Sequence, residues 1–131
     1  MQIELNMTTV DFLVDAVDDS GLVGGINCGG DTPVGTMFTT ITKFRVDGDL
    51  PNLITLDLGV FAAVALILKE VDWYRRSIPQ IPRGHSAGLR FAGKGLDTLK
   101  QVLATRGKSE YVHLRGPGLS ISTLTDASKH E

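Results

Sequence analysis

One cysteine, Cys28, stands in the 131 residues, so the fold cannot rest on internal disulfides. The longest apolar run, Gly59 to Leu68, is ten residues, about half of what a membrane-spanning helix needs. No lysine or arginine precedes Lys43, so no basic segment leads into an apolar one and no secretory leader is expected. The glycine cluster from Gly24 to Gly30 has no Gly-Lys-Ser/Thr after it and no G-x-G-x-x-G within it, which argues against a nucleotide phosphate loop. His85, His113 and His130 do not fall at metal-ligand spacings. Neither a metal, a cofactor nor nucleoside triphosphate binding is expected, and no nucleophile–base signature points to an enzyme.

What is present is ordinary globular composition, 42% hydrophobic and 21% charged. The length is that of one domain, spanning 1–131, with frayed ends expected at 1–7 and 126–131. These features together predict a soluble, cytoplasmic protein. Charge is unevenly distributed. Residues 1–74 carry 11 acids and 3 bases, a balance of −8, and residues 75–131 carry 10 bases and 4 acids, a balance of +6. Such asymmetry suits either a basic face for an acidic partner, or two halves that interleave in space and neutralise each other.

Turn signals and β-rich runs dominate. Strands are expected at residues 11–17, 37–46, 53–58, 65–74, 86–92 and 111–114, from alternation and from Thr, Val, Ile and Phe content. Residues 60–74 suit a helix or a buried strand by composition; their second half reads as strand. Asp18-Asp19-Ser20-Gly21 marks a turn. The glycine cluster reads as a turn or bulge. Pro79 and Pro82 exclude regular helix between residues 78 and 84. One helix is expected within 95–107, from Leu96, Leu99, Val102 and Leu103, with Gly107 closing it. Arg115-Gly116-Pro117-Gly118 reads as the turn of a closing hairpin whose second strand is 119–124. The pattern as a whole is that of an all-β barrel or sandwich.

Among side chains that carry chemistry, Trp73-Tyr74-Arg75-Arg76 is the densest constellation. Two aromatic rings beside two guanidinium groups suit recognition by stacking and bidentate hydrogen bonds. Alternation lets only one of Trp73 and Tyr74 point inward. Asp18-Asp19 reads as a solvated turn, and Cys28 as a packing or turn residue.

Val71-Asp72-Trp73-Tyr74-Arg75-Arg76, then seven residues, then Gly84-His85-Ser86-Ala87-Gly88-Leu89-Arg90-Phe91-Ala92-Gly93 resembles the second-domain barrel of elongation factor Tu and other translational GTPases. That family reads roughly V-E-M-F-R-K, seven residues, G-x-N-V-G-x-x-L-R-G. Gly25, Gly30 and Val34-Gly35 match its upstream glycine spacing, and Gln101-Val102-Leu103-Ala104 its downstream end, so the likeness covers about residues 8–105. The resemblance implies an antiparallel six-stranded translation-type barrel. It also implies a non-enzymatic binding role, since in elongation factor Tu this barrel helps hold the aminoacyl end of tRNA. The family's Glu, Arg and Asn contacts fall on Asp72, Arg75 and Ser86, which would then line a shared hollow. The segment between Gly35 and Val71 is roughly fifteen residues longer than the family's, which predicts an inserted hairpin over residues 43–58, turning near Asp47-Gly48.

Two functional readings follow. The first is a stand-alone barrel that binds RNA or a translation component through Asp72, Trp73, Tyr74, Arg75, Arg76 and Ser86. The second is an immunity or antitoxin-type protein, whose acidic first half would mask the basic surface of a toxin. A toxin gene next door would favour the second.

Overall fold

The structure, a computed structural model, describes residues 10–117. Nine strands and one helix follow in chain order: β1 Val10–Val17, β2 Val23–Asn27, β3 Thr32–Pro33, β4 Met37–Asp47, β5 Ile54–Trp73, β6 Arg76–Ile78, β7 Gln80–Ile81, β8 Ser86–Lys94, α1 Leu96–Ala104 and β9 Glu110–Gly116. All pairings are antiparallel. The main sheet runs β4-β9-β1-β2-β8-β5, and β5 pairs back onto β4, so six strands close into a ring. The fold is therefore an all-β antiparallel barrel. Closure leaves no edge within the ring and encloses one core. Among the described residues, no helix is long and apolar enough to cross a membrane.

Period-two alternation builds the interior. On β1, Val10, Phe12 and Val14 are buried while Asp11 and Asp15 face out. On β9, Val112, Leu114 and Gly116 face in, opposite Val14, Phe12 and Val10 respectively. Strand β5 breaks strict alternation. A register shift between Leu68 and Glu70 lets Leu68 and Val71, an odd step apart, both lie fully buried. Helix α1 seals part of the core with Leu99, which is fully buried.

Several expectations are corrected. The first half of the glycine cluster is strand, not turn. Gly24 and Gly25 lie in β2 between β1 and β8, where missing side chains allow close packing. A Cβ on Gly25 would collide with the Leu13 carbonyl oxygen and the Phe12 ring, whereas one on Gly24 would have nothing closer than 3.9 Å. Residues 53–74 are not two strands but the single 20-residue β5. Arg115 and Gly116 belong to β9 rather than to a turn, because they pair with β1 across the barrel wall. The strand expected at 119–124 lies outside the described residues. Helix α1 ends at Thr105, whose hydroxyl donates to the Gln101 carbonyl, so Gly107 lies beyond the cap.

A hairpin does form within residues 43–58. Strand β4 from Phe44 to Asp47 pairs with β5 from Ile54 to Asp57, and the chain turns between them from Gly48 to Leu53. It is a continuation of two barrel strands, not a separate unit, and Lys43, Phe44 and Arg45 still pair with β9.

Gly25→Ala should lower unfolding stability by roughly 1–3 kcal/mol, the range for an overpacked site that must shift backbone. Gly24→Ala, with no such collision, should change it by less than about 1 kcal/mol. Urea denaturation of both variants checks the contrast.

Candidate functional site

The sequence motif around residues 71–88 lands on one concave surface. Strands β2 and β8 pair Ile26 with Ser86, Gly25 with Ala87 and Gly24 with Gly88, while β5 sets Asp72 beside Gly88. Gly24, Gly25 and Gly88 line a hollow of about 460 Å³. Only at Gly24 does a missing side chain leave open space; a Cβ on Gly25 would point at Leu13 and Phe12, and one on Gly88 at Leu22. The walls of the hollow are Asp15, Asp72, Trp73, Tyr74 and Ser86. Asp15 reaches the rim because β1 bulges between Val14 and Ala16.

Strand β5 ends in a two-residue turn. Trp73 pairs with Arg76, and Tyr74 and Arg75 between them both have positive φ, 51° and 65°. Such turns match the twist of a hairpin and are normally made by Asn-Gly or Gly-Gly. Here a tyrosine and an arginine occupy the strained positions. Tyr74 is 81% exposed, and its ring meets Trp73 edge-to-face at 4.8 Å. The Trp73 ring is half-buried and also lies 5.9 Å from His85. Neither Trp73 nor Tyr74 enters the buried core.

The turn divides the expected contact set. Asp72, Trp73, Tyr74 and Ser86 share the large hollow. Arg75 and Arg76 instead line an adjoining hollow of about 200 Å³ with Glu70, Asp72 and Ser77. Asp72 is the ridge common to both. The expected single hollow holding Asp72, Arg75 and Ser86 is therefore two hollows. The reason is local: the chain leaves β5 at Tyr74, and the turn carries Arg75 away from the Ser86 side. Arg90 is engaged elsewhere, 3.5 Å from Glu70 and donating to the Ser20 carbonyl oxygen.

The Ser86 side of the hollow is held by a buried amide. Asn27 is 1% exposed; its Nδ2 donates to the carbonyls of Gly30 and Ile81, both at 2.9 Å. Its Oδ1 accepts from the Gly29 N–H, and its backbone exchanges hydrogen bonds with Gly84 and His85. Sequence reading passed over Asn27, although a polar side chain flanked by glycines was the available signal. Cys28, next to it, is exposed. Burial and the Asp11 charge push its thiol up, away from the thiolate that nucleophilic chemistry uses.

A second polar cluster sits on the outer barrel wall. His113 Nδ1 lies 2.6 Å from Asp11 Oδ1, Arg115 donates to Asp11 Oδ2 at 3.3 Å, and the Phe44 ring meets His113 edge-on at 4.9 Å. Residues 11 and 113 are too far apart in sequence for spacing to reveal the pair. Burial pushes the Asp11 carboxyl up, but the His113 hydrogen bond and charge, with Arg115, outweigh it and hold the group below its ordinary value. No protein-family model, curated protein or solved structure matches the chain.

Two outcomes are expected. Replacing Tyr74-Arg75 by Asn-Gly should raise unfolding stability by roughly 1–2 kcal/mol, because those residues accept positive φ at lower cost; chemical denaturation measures it. Asp11 binds fewer protons folded than unfolded. Its contribution is therefore present above its unfolded pKa of about 4 and is lost as pH falls through the lower folded value. Asp11→Asn should flatten that acid limb in a pH series of unfolding curves.

Proposed function

We propose that this barrel is a non-enzymatic binding module of the translation-factor type, and that the Asp72–Ser86 hollow takes an exposed end of an RNA chain. The observation that carries the reading is Tyr74. An 81% exposed aromatic ring is presented at the hollow from a turn that a smaller residue would form more easily. Backbone strain retained at an exposed ring is the pattern expected of a recognition element. A base stacked on Tyr74 and Trp73 would bring ribose hydroxyls within reach of Asp72 and Ser86. Arg75 and Arg76, just across the Asp72 ridge, would meet the adjoining phosphates. Asp15 and Asp72 keep phosphate itself out of the hollow and favour hydroxyl and amino donors there. This matches the aminoacyl end that the resembling family binds, with Asp and Ser in place of Glu and Asn.

The test is fluorescence anisotropy with aminoacylated tRNA, deacylated tRNA and a short single-stranded RNA. Tyr74→Ala should weaken binding by about 1–3 kcal/mol, the worth of one stacked base, with the barrel still folded by circular dichroism. Arg75→Ala should weaken it less and reduce its salt dependence. Arg90→Ala, whose partners lie within the chain, should leave it unchanged. Absence of RNA binding at low salt would reject the reading. A single basic protein captured from lysate through the same hollow would favour the toxin-neutralising alternative.

A further inference from the structure

Among the described residues, the half of β5 that extends beyond the barrel has no second neighbour. From Ile54 to Val64 the strand pairs with β4 alone, and β8 joins only from Ala65 onward. Near Val64 the backbone of Gly95 approaches closely. The unpaired edge therefore runs from Ile54 to Ala63, roughly 33 Å at strand rise. Open edges are normally blunted with lysine or proline. This one has neither, and Asp57 is the only charged residue between Ile54 and Leu68.

The same stretch exposes large apolar side chains. Ile54 is 58% exposed, Leu56 36%, Val60 64% and Phe61 50%. Ile54 and Leu56 stand opposite Asp47 and Arg45, and Phe61 covers the Lys43 ammonium at 4.6 Å, so all three share one face of the hairpin. The basic charges around them are already matched within the chain. Lys43 pairs with Glu110 at 3.2 Å, and Arg45 binds Asp47 through two nitrogens at 2.9 and 3.1 Å. The Asp57 carboxylate accepts the Gly59 N–H at 2.7 Å. Among the described residues no cation is left over here for a nucleic acid or an anionic lipid surface, while Asp49 at the hairpin tip and Asp57 are the carboxylates without a cationic partner.

We propose that this hairpin is a self-association surface, and that its occupant is the same stretch of a second copy. A neutral apolar strip is complementary to itself. Two copies related by a two-fold axis run antiparallel, as strand pairing along a free edge requires. Because Asp57 is the sole charge, like charges face each other only if the axis passes through Asp57 itself. In any neighbouring register an apolar residue opposes it. The bulges at Leu58 and Phe61, where β5 carries an extra residue against β4, limit the ladder that can form. They favour a closed pair over indefinite sheet growth. The proposal is independent of the hollow, which lies at the other end of β5.

Sedimentation velocity across a wide concentration range tests it. The wild-type chain should move from 14.1 kDa toward twice that mass and stop there. Ile54→Lys with Val60→Lys, at two exposed positions, should raise the dimer dissociation constant at least about tenfold, with an unchanged circular dichroism spectrum. Should the lysines disturb folding, Ile54→Thr with Val60→Thr keeps the β-branched shape and reads the same surface. A wild-type chain that stays monomeric throughout would overturn the proposal. So would a dimer that the folded variants leave intact, or a monomer that instead floats with neutral phosphatidylcholine vesicles through this strip.

Discussion

The structure turns on one strand with three partners. Strand β5 must pair with β4 to close the ring, with β8 to continue it, and with β6 to end it. A straight strand of 20 residues could not satisfy all three, because strands twist and alternate strictly. The register shifts along β5 resolve the conflict. Each adds a residue, bends the strand and resets which side chains face in. The shift between Leu68 and Glu70 keeps Leu68 and Val71 in the core and leaves Glu70 outside to meet Arg90. The hollow and the free apolar hairpin are the two ends of that one solution.

Closure also brings the two charge halves together. The chain reads as an acidic half followed by a basic half, yet the ring interleaves them. Asp11 meets His113 and Arg115, Lys43 meets Glu110, and Glu70 meets Arg90. These contacts cross the boundary near residue 74; Asp11–Arg115 and Glu70–Arg90 join acids of the first half to bases of the second, and Lys43–Glu110 runs the other way. Lys43 is the extreme case. It is 6% exposed, and its ammonium is held by Glu110 and covered by Phe61 where the barrel opens onto the hairpin. Burial of that charge is tolerated because a partner and an aromatic face replace the lost water.

The hollow is built on strands rather than on a mobile loop, which fixes its walls without a bound ligand. Two adjacent glycines line it for different reasons: Gly24 leaves open space, whereas Gly25 is required by packing against Leu13 and Phe12 on the core side. Tyr74 and Arg75 are the opposite case, large residues where the backbone favours small ones. Local preference and global fold disagree there, and such disagreement is expected where a side chain is kept for contact with something else.

Alternation and turn chemistry by themselves determined the all-β class, most strand positions, the helix and the hairpin that joins β4 to β5. These are local signals, set by side-chain period and by residues such as Asp47-Gly48 that favour turns. Residues of the motif from Val71 to Gly93 line both hollows. Tertiary structure decided what periodicity cannot encode. Gly24 and Gly25 became strand because two neighbours press on them, and Arg115-Gly116 became strand because β1 and β4 flank it. Arg75 and Ser86 parted because a turn of positive φ carries Arg75 away from the Ser86 side. The Asp11–His113 pair and the Asn27 clamp join residues 102 and 54 positions apart, and only the closed ring brings them within hydrogen-bond reach.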